Sequence, residues 1–168
     1  MTATQTAKPA QTAQTNERTQ TITPFLWFDD NAERAMDFYC SVFKDSQKGE
    51  VTRAGDKVLG VSFELNGQRI MGLNGGPQFP FTEAFSFYLE VETQEEVDYY
   101  WHALAEGGEP SRCGWLKDQF GVSWHVIPTA LPELLRDDDQ QKAGRVMQAM
   151  LGMAKIDIAA LRRAYEGE

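Results

Sequence analysis

A chain of 168 residues with a hydrophobic fraction of 42% has the size and apolar content of one ordinary core. Its formal charge of -9, from 25 acidic against 16 basic side chains, would repel a phosphate backbone, so nucleic acid is not an expected partner. No apolar run approaches the ~18 residues a spanning helix needs, and no membrane partner is expected.

Residues 1–20 are rich in Thr, Gln and Ala, lack a signal-peptide core and hold one arginine, Arg18, which predicts a solvated tail. Cys40 and Cys113 sit in no CxxC spacing and are too few for a disulfide framework, so the expected location is the cytoplasm. Thr21 to Phe28 is β-branched and aromatic and reads as a first strand. A helix follows with Ala32, Ala35, Met36, Tyr39 and Phe43 on one side, opened by a capping-box pair, Asp30 and Glu33, and ending near Lys44 and Asp45. Gly49 to Arg53, Lys57 to Leu65 and Gln68 to Leu73 read as a meander, the last two strands joined by the hairpin pair Asn66-Gly67. Asn74 to Pro80 reads as a linker.

The same order then begins again. Phe85 to Val91 alternates as a strand, Thr93 and Glu96 form a second capping box, and Val97, Tyr100, Trp101 and Leu104 line a helix closed by Gly107-Gly108. Cys113 to Leu116 and Gly121 to Ile127 complete the repeat. Asp37-Phe38-Tyr39 answers Asp98-Tyr99-Tyr100, and a duplicated unit of this size implies two incomplete sheets sharing one core. The expected fold class is α+β. Beyond Pro128, a helix starting between Pro132 and Asp139 would carry Ala143, Val146, Met147, Met150 and Leu151 inward. Asp157 would cap another, with Ile158, Leu161 and Tyr165 inward. Their apolar stripes require cover within the subunit or across a dimer. The expected divisions are a tail (1–20), a two-module domain (21–130, modules 21–78 and 83–129) and a helical extension (131–168).

Ile22 to Phe28, Leu73-Asn74-Gly75-Gly76-Pro77, Gln94 to Asp98, Cys113 to Asp118, Gly121 to Trp124 and Lys155 to Leu161 together resemble the demethylubiquinone-methyltransferase-like branch of the glyoxalase/bleomycin-resistance (vicinal-oxygen-chelate) superfamily, related to phosphonate-operon glyoxalase-like proteins. The resemblance implies paired βαβββ modules, a cup-shaped sheet and a homodimer. It also implies metal ligands in the superfamily's enzymes at first-strand positions, here near Pro24 and Ser86, and four residues after a last-strand glycine, here Met71 and His125. Of these only His125 is a good ligand, so no metal and no cofactor are expected. No Gly-rich strand-to-helix loop is present for a nucleotide-derived cofactor such as S-adenosylmethionine.

The expected function is small-molecule binding in the cleft between the modules. By strand parity Leu26, Phe28, Met71, Tyr88 and His125 face inward, with Ser86 and Trp115 nearby, whereas Trp27 and Trp124 point toward helices. His125 is the candidate general base or anchoring group, since imidazole titrates near neutrality; a strand histidine bonded to a neighbour is the plain alternative. Glu64 and Glu90 could serve as raised-pKa carboxylates or as exposed strand ends. Cys113 has one local cation, Arg112, and with Cys40 reads as structural; His102 reads as surface. Two further readings remain open: a metal-dependent lyase, isomerase or dioxygenase, and a non-catalytic dimeric interaction module.

Overall fold

The structure, a computed structural model, describes residues 21–168; the predicted tail lies outside them. Two four-stranded sheets have the same topology. The first comprises β1 (Phe25–Phe28), β2 (Ser46–Ala54), β3 (Lys57–Leu65) and β4 (Gln68–Asn74), in the order β1-β4-β3-β2. The second comprises β5 (Phe87–Val91), β6 (Glu109–Pro110), β7 (Trp115–Lys117) and β8 (Ser123–Pro128), in the order β5-β8-β7-β6. In each, the first strand pairs parallel with the last after a helical crossover, α1 (Ala32–Val42) or α2 (Gln94–Ala105). This is the α+β, two-βαβββ fold that the internal repeat predicts. Among the described residues no helix is long and apolar enough to cross a membrane.

Each helix lies on the more apolar parity of its sheet. In module one that face carries Leu26, Phe28, Val61, Phe63 and Ile70, all buried with Ala35, Met36 and Tyr39 of α1. In module two it carries Leu89, Leu116, Trp124 and Val126, buried with Val97, Trp101 and Leu104 of α2. Burying one such Leu or Phe side chain contributes about 1.5–3 kcal/mol. The two helix-bearing faces share one core: Tyr39 stacks on Phe63 of its own sheet and also meets Trp124 of the other, with ring centroids 5.8 and 5.6 Å away.

A buried carboxylate joins the modules. Asp118 Oδ2 accepts from the Tyr39 hydroxyl (2.7 Å) and the Trp124 indole (2.8 Å), while Oδ1 accepts from the amides of Phe120 (2.9 Å) and Val122 (3.0 Å). Burial pushes its carboxyl up, and these four donors act against that push.

Several local expectations change. Strand β1 starts at Phe25, not Thr21, and β5 at Phe87, not Phe85. The Asp30/Glu33 capping box does not form: Asn31 is the N-cap without a side-chain bond, and Asn74 Oδ1 accepts from Ala32 N instead (2.9 Å). The Thr93/Glu96 box does form. Cys113 and Gly114 are not strand residues; both take positive φ (58° and 81°) in a tight turn closed by Trp115 N–H donating to Arg112 O (3.1 Å). Asn66 and Gly67 make the expected hairpin turn with φ of 48° and 76°.

The C-terminal segment forms three helices rather than two: α3 (Ala130–Leu135), α4 (Gln140–Leu151), capped by Asp139, and α5 (Ile158–Glu166), capped by Asp157. They are covered within the subunit. Leu131, Val146, Ile156 and Leu161 form a second core on Ile127, which sits on the side of β8 away from α2. Gly114 permits that approach, since a Cβ there would lie 2.7 Å from Ile127 and 3.3 Å from Ile156. Met147 and Leu151 of the expected inner stripe are instead exposed.

Candidate functional site

Since the helices take one face of each sheet, the opposite faces remain open, and this redistributes the expected site residues. Leu26 and Phe28, 3% and 1% exposed, are part of the core beneath α1, on the face of β1 away from Met71. Met71 pairs with Phe25 on the open face, and Trp27, two residues along, shares that side, contrary to its expected helical contact. The indole of Trp27 donates to Gly76 O (2.8 Å) and its ring meets Phe79. Trp124 does face the helices. The open face carries Phe25, Trp27, Met71 and Leu73 beside Ser62, Glu64 and Arg69, and alternation marks two faces without saying which one a helix will take.

On the open face of the second sheet, register brings three predicted residues into one row. Tyr88 on β5 and Trp115 on β7 both pair with His125 on β8, and both rings meet the imidazole edge-on. Burial lowers the His125 pKa, keeping the ring neutral at neutral pH, and raises that of Tyr88, with Glu90 adding to the rise. One pleat along, Ser123 pairs with Lys117. Ser86 is half-buried in the approach to β5, outside the strand.

Two walls bound this floor. On one side the C-terminal core covers Ile127, and the Cys113 and Gly114 amides donate to Met153 O and Ala154 O, each at 2.8 Å. On the other the linker ties in through Glu83, whose carboxylate lies 2.5 Å from Lys117 Nζ. The pairing holds Glu83 below the usual carboxylate range and raises Lys117.

Beside Trp115 lies a cavity of about 360 Å³ reached by Arg112, Trp115, Lys117, Ser123, Glu83 and Glu109. The Ser123 side chain lines it at 2% exposure, and its hydroxyl has no hydrogen-bond partner. In the sequence Arg112 is only a neighbour of Cys113, and no local pattern gives Ser123, Lys117 or Glu83 a role. Alternation places Ser123 beside His125, but nothing local to the sequence places the linker over it. Met71 lines a separate cavity of about 250 Å³ with Phe25 and Leu59 on the first sheet.

The divalent metal of the superfamily's enzymes does not fit this chain's residues. Pro24 offers no side-chain donor and Met71 only a soft thioether, on a different sheet from His125. Among the described residues no three His, Cys, Asp or Glu side chains converge.

Comparisons with known proteins agree with this geometry. A family model described as 3-demethylubiquinone-9 3-methyltransferase matches residues 20–127. A Bacillus cereus structure described as a 3-demethylubiquinone-9 3-methyltransferase, PhnB protein, is 36% identical over 66% of this chain and 100% of its own, with a TM-score of 0.61. A Pseudomonas aeruginosa protein is 23% identical over 64% of this chain and 96% of its own (TM-score 0.56). The fosfomycin resistance protein FosX from Listeria monocytogenes is 16% identical over 71% and 99% (TM-score 0.52). These last two show likeness of fold alone. No curated protein matches the chain. With the model spanning more than half of the sequence, the chain belongs to the 3-demethylubiquinone-9 3-methyltransferase family, in the glyoxalase (vicinal-oxygen-chelate) superfamily.

Proposed function

We propose that this protein is a metal-independent small-molecule-binding member of its family, acting as a homodimer, with the ligand seated on the open face of the second sheet. The observation that carries this reading is the cavity beside Trp115, where a buried hydroxyl, Ser123, is left without a partner. A buried polar group without a hydrogen bond costs about 1–3 kcal/mol, and a ligand group bonded to Ser123 recovers it. Trp115 gives the cavity one aromatic wall, and Ser123, Lys117 and Arg112 are polar groups of the kind that fix a ligand's orientation. Of the residues expected at the site, Tyr88, Trp115 and His125 belong to this proposal directly and Ser86 borders it; Met71 belongs to the other open face.

His125 suits an anchoring hydrogen bond or proton acceptor, because its neutral imidazole has one ring nitrogen free to accept. Methyl transfer from S-adenosylmethionine, which the family's description suggests, finds little support in this chain. Its two parallel strand-to-helix turns read Asp29-Asp30-Asn31 and Glu92-Thr93, with no glycine to let a backbone approach a cofactor. The homodimer reading rests on the first sheet, where Phe25 and Leu59 are 58% and 42% exposed beside Met71.

The test is a fragment screen followed by NMR with ¹⁵N-labelled protein, alongside metal analysis of the purified chain. Hits that shift the Trp115 indole and fail to bind Trp115→Ala are expected, with metal well below one equivalent. Stoichiometric zinc, nickel, iron or manganese, or hits that leave Trp115 untouched, would overturn the reading.

A further inference from the structure

The charge pattern of the Trp115 cavity narrows the class of ligand, an inference that rests on the binding reading above. Four charged side chains reach the cavity. Lys117 is engaged twice, ion-paired to Glu83 and standing opposite Glu109 in the β6–β7 ladder. Arg112 is the cation left over: it makes no ion pair or side-chain hydrogen bond among the described residues, and it is exposed. A guanidinium presents paired donors that match a carboxylate with two parallel bonds.

Arg112 is also carried on a fixed backbone. Ser111 N–H donates to Trp115 O (2.9 Å) and Trp115 N–H to Arg112 O (3.1 Å), while the next two amides are held by Met153 and Ala154. The turn keeps Cys113 at φ 58°, a conformation that costs a non-glycine residue about 1–3 kcal/mol and persists only where its surroundings enforce it. The backbone that carries Arg112 is therefore fixed before any ligand arrives. Beside it, Trp115 offers a flat apolar surface and Ser123 an unused hydroxyl within the same cavity.

We propose that the site takes a flat, apolar monocarboxylate of about one or two fused rings, its body on Trp115, its carboxylate on Arg112 and a further polar atom bonded to Ser123. Of the two cations that reach the cavity, Arg112 alone makes no ion pair among the described residues, which suits one negative charge on the ligand; a phosphate dianion would leave a charge unmatched. A cation would meet Arg112 as a like charge.

The probes are 2-naphthoate, 2-naphthamide, 2-naphthylmethylamine and inorganic phosphate, each titrated into the full chain and followed by the Trp115 indole and Ser123 amide resonances. The expected result is saturable shifts with 2-naphthoate at least about tenfold tighter than with the amide or the amine, and none with phosphate, one lost bidentate ion contact being worth about 1.4 kcal/mol or more. Arg112→Gln should remove the preference for the acid while leaving a dispersed, native-like spectrum, and Arg112→Lys should restore part of it. Equal or tighter binding of the amide, the amine or phosphate at Trp115 would overturn the carboxylate assignment and leave small-molecule binding standing. Silence of Trp115 toward every probe, the fragment library included, would overturn both.

Discussion

Two side chains carry most of what can be measured one residue at a time. Asp118 accepts four hydrogen bonds across the module junction. Asp118→Ala leaves the buried Tyr39 hydroxyl and Trp124 indole without an acceptor and is expected to destabilise the chain by about 3 kcal/mol in urea denaturation. His125 gives a pH signature. Burial lowers its folded pKa below the ordinary 6.5, so its contribution is present above that value and is lost as the pH falls through the folded pKa. Stability should therefore decline on acidification from about pH 6.5, and the decline should be shallower in His125→Phe. Parity in the sequence already put His125 and Tyr88 on one face, and the structure adds Trp115 through the β7–β8 register. Asp118 enters the sequence reading only as the end of the Cys113–Asp118 motif, because its partners Tyr39 and Trp124 come from two modules and no local pattern joins them.

Among the elements, repeated ones were legible and solitary ones less so. Both crossover helices and the first meander follow from apolar spacing and the Asn66-Gly67 turn, and the Thr93 box forms where its pattern predicts. The Asp30 box failed because Asn74, a neighbour of Phe28 by strand pairing, reaches the α1 amide instead. Short β6 and α3 left no periodic trace, having only 2 and 6 residues. The turn at Cys113-Gly114 is where the C-terminal helices latch onto module two. Gly114→Ala would combine a positive φ with a Cβ 2.7 Å from Ile127, so a loss of about 2 kcal/mol or more is expected. Limited proteolysis should then cut between residues 130 and 158 sooner than in the parent chain. Unchanged digestion would separate that turn from the docking of the helices.

For the whole molecule, duplication predicts the architecture but not the direction in which the two sheets pack. Two amphipathic sheets with a helix each can join through helical or open faces, and the same alternation serves both; the junction of Tyr39, Phe43 and Trp124 decides for the helical side. The open face of the first sheet is the surface expected to close on a second copy. Sedimentation equilibrium should give twice the chain mass, and Phe25→Glu should shift it toward the monomer. The central claim is that ligand meets the open face of the second sheet. Amide hydrogen exchange with and without a saturating screen hit measures this directly. The account predicts slowed exchange in 109–117 and 123–127 with the linker at 81–86, and little change in α1 and α2. Protection confined to the α1–α2 junction, or to the Met71 face of the first sheet, would contradict it.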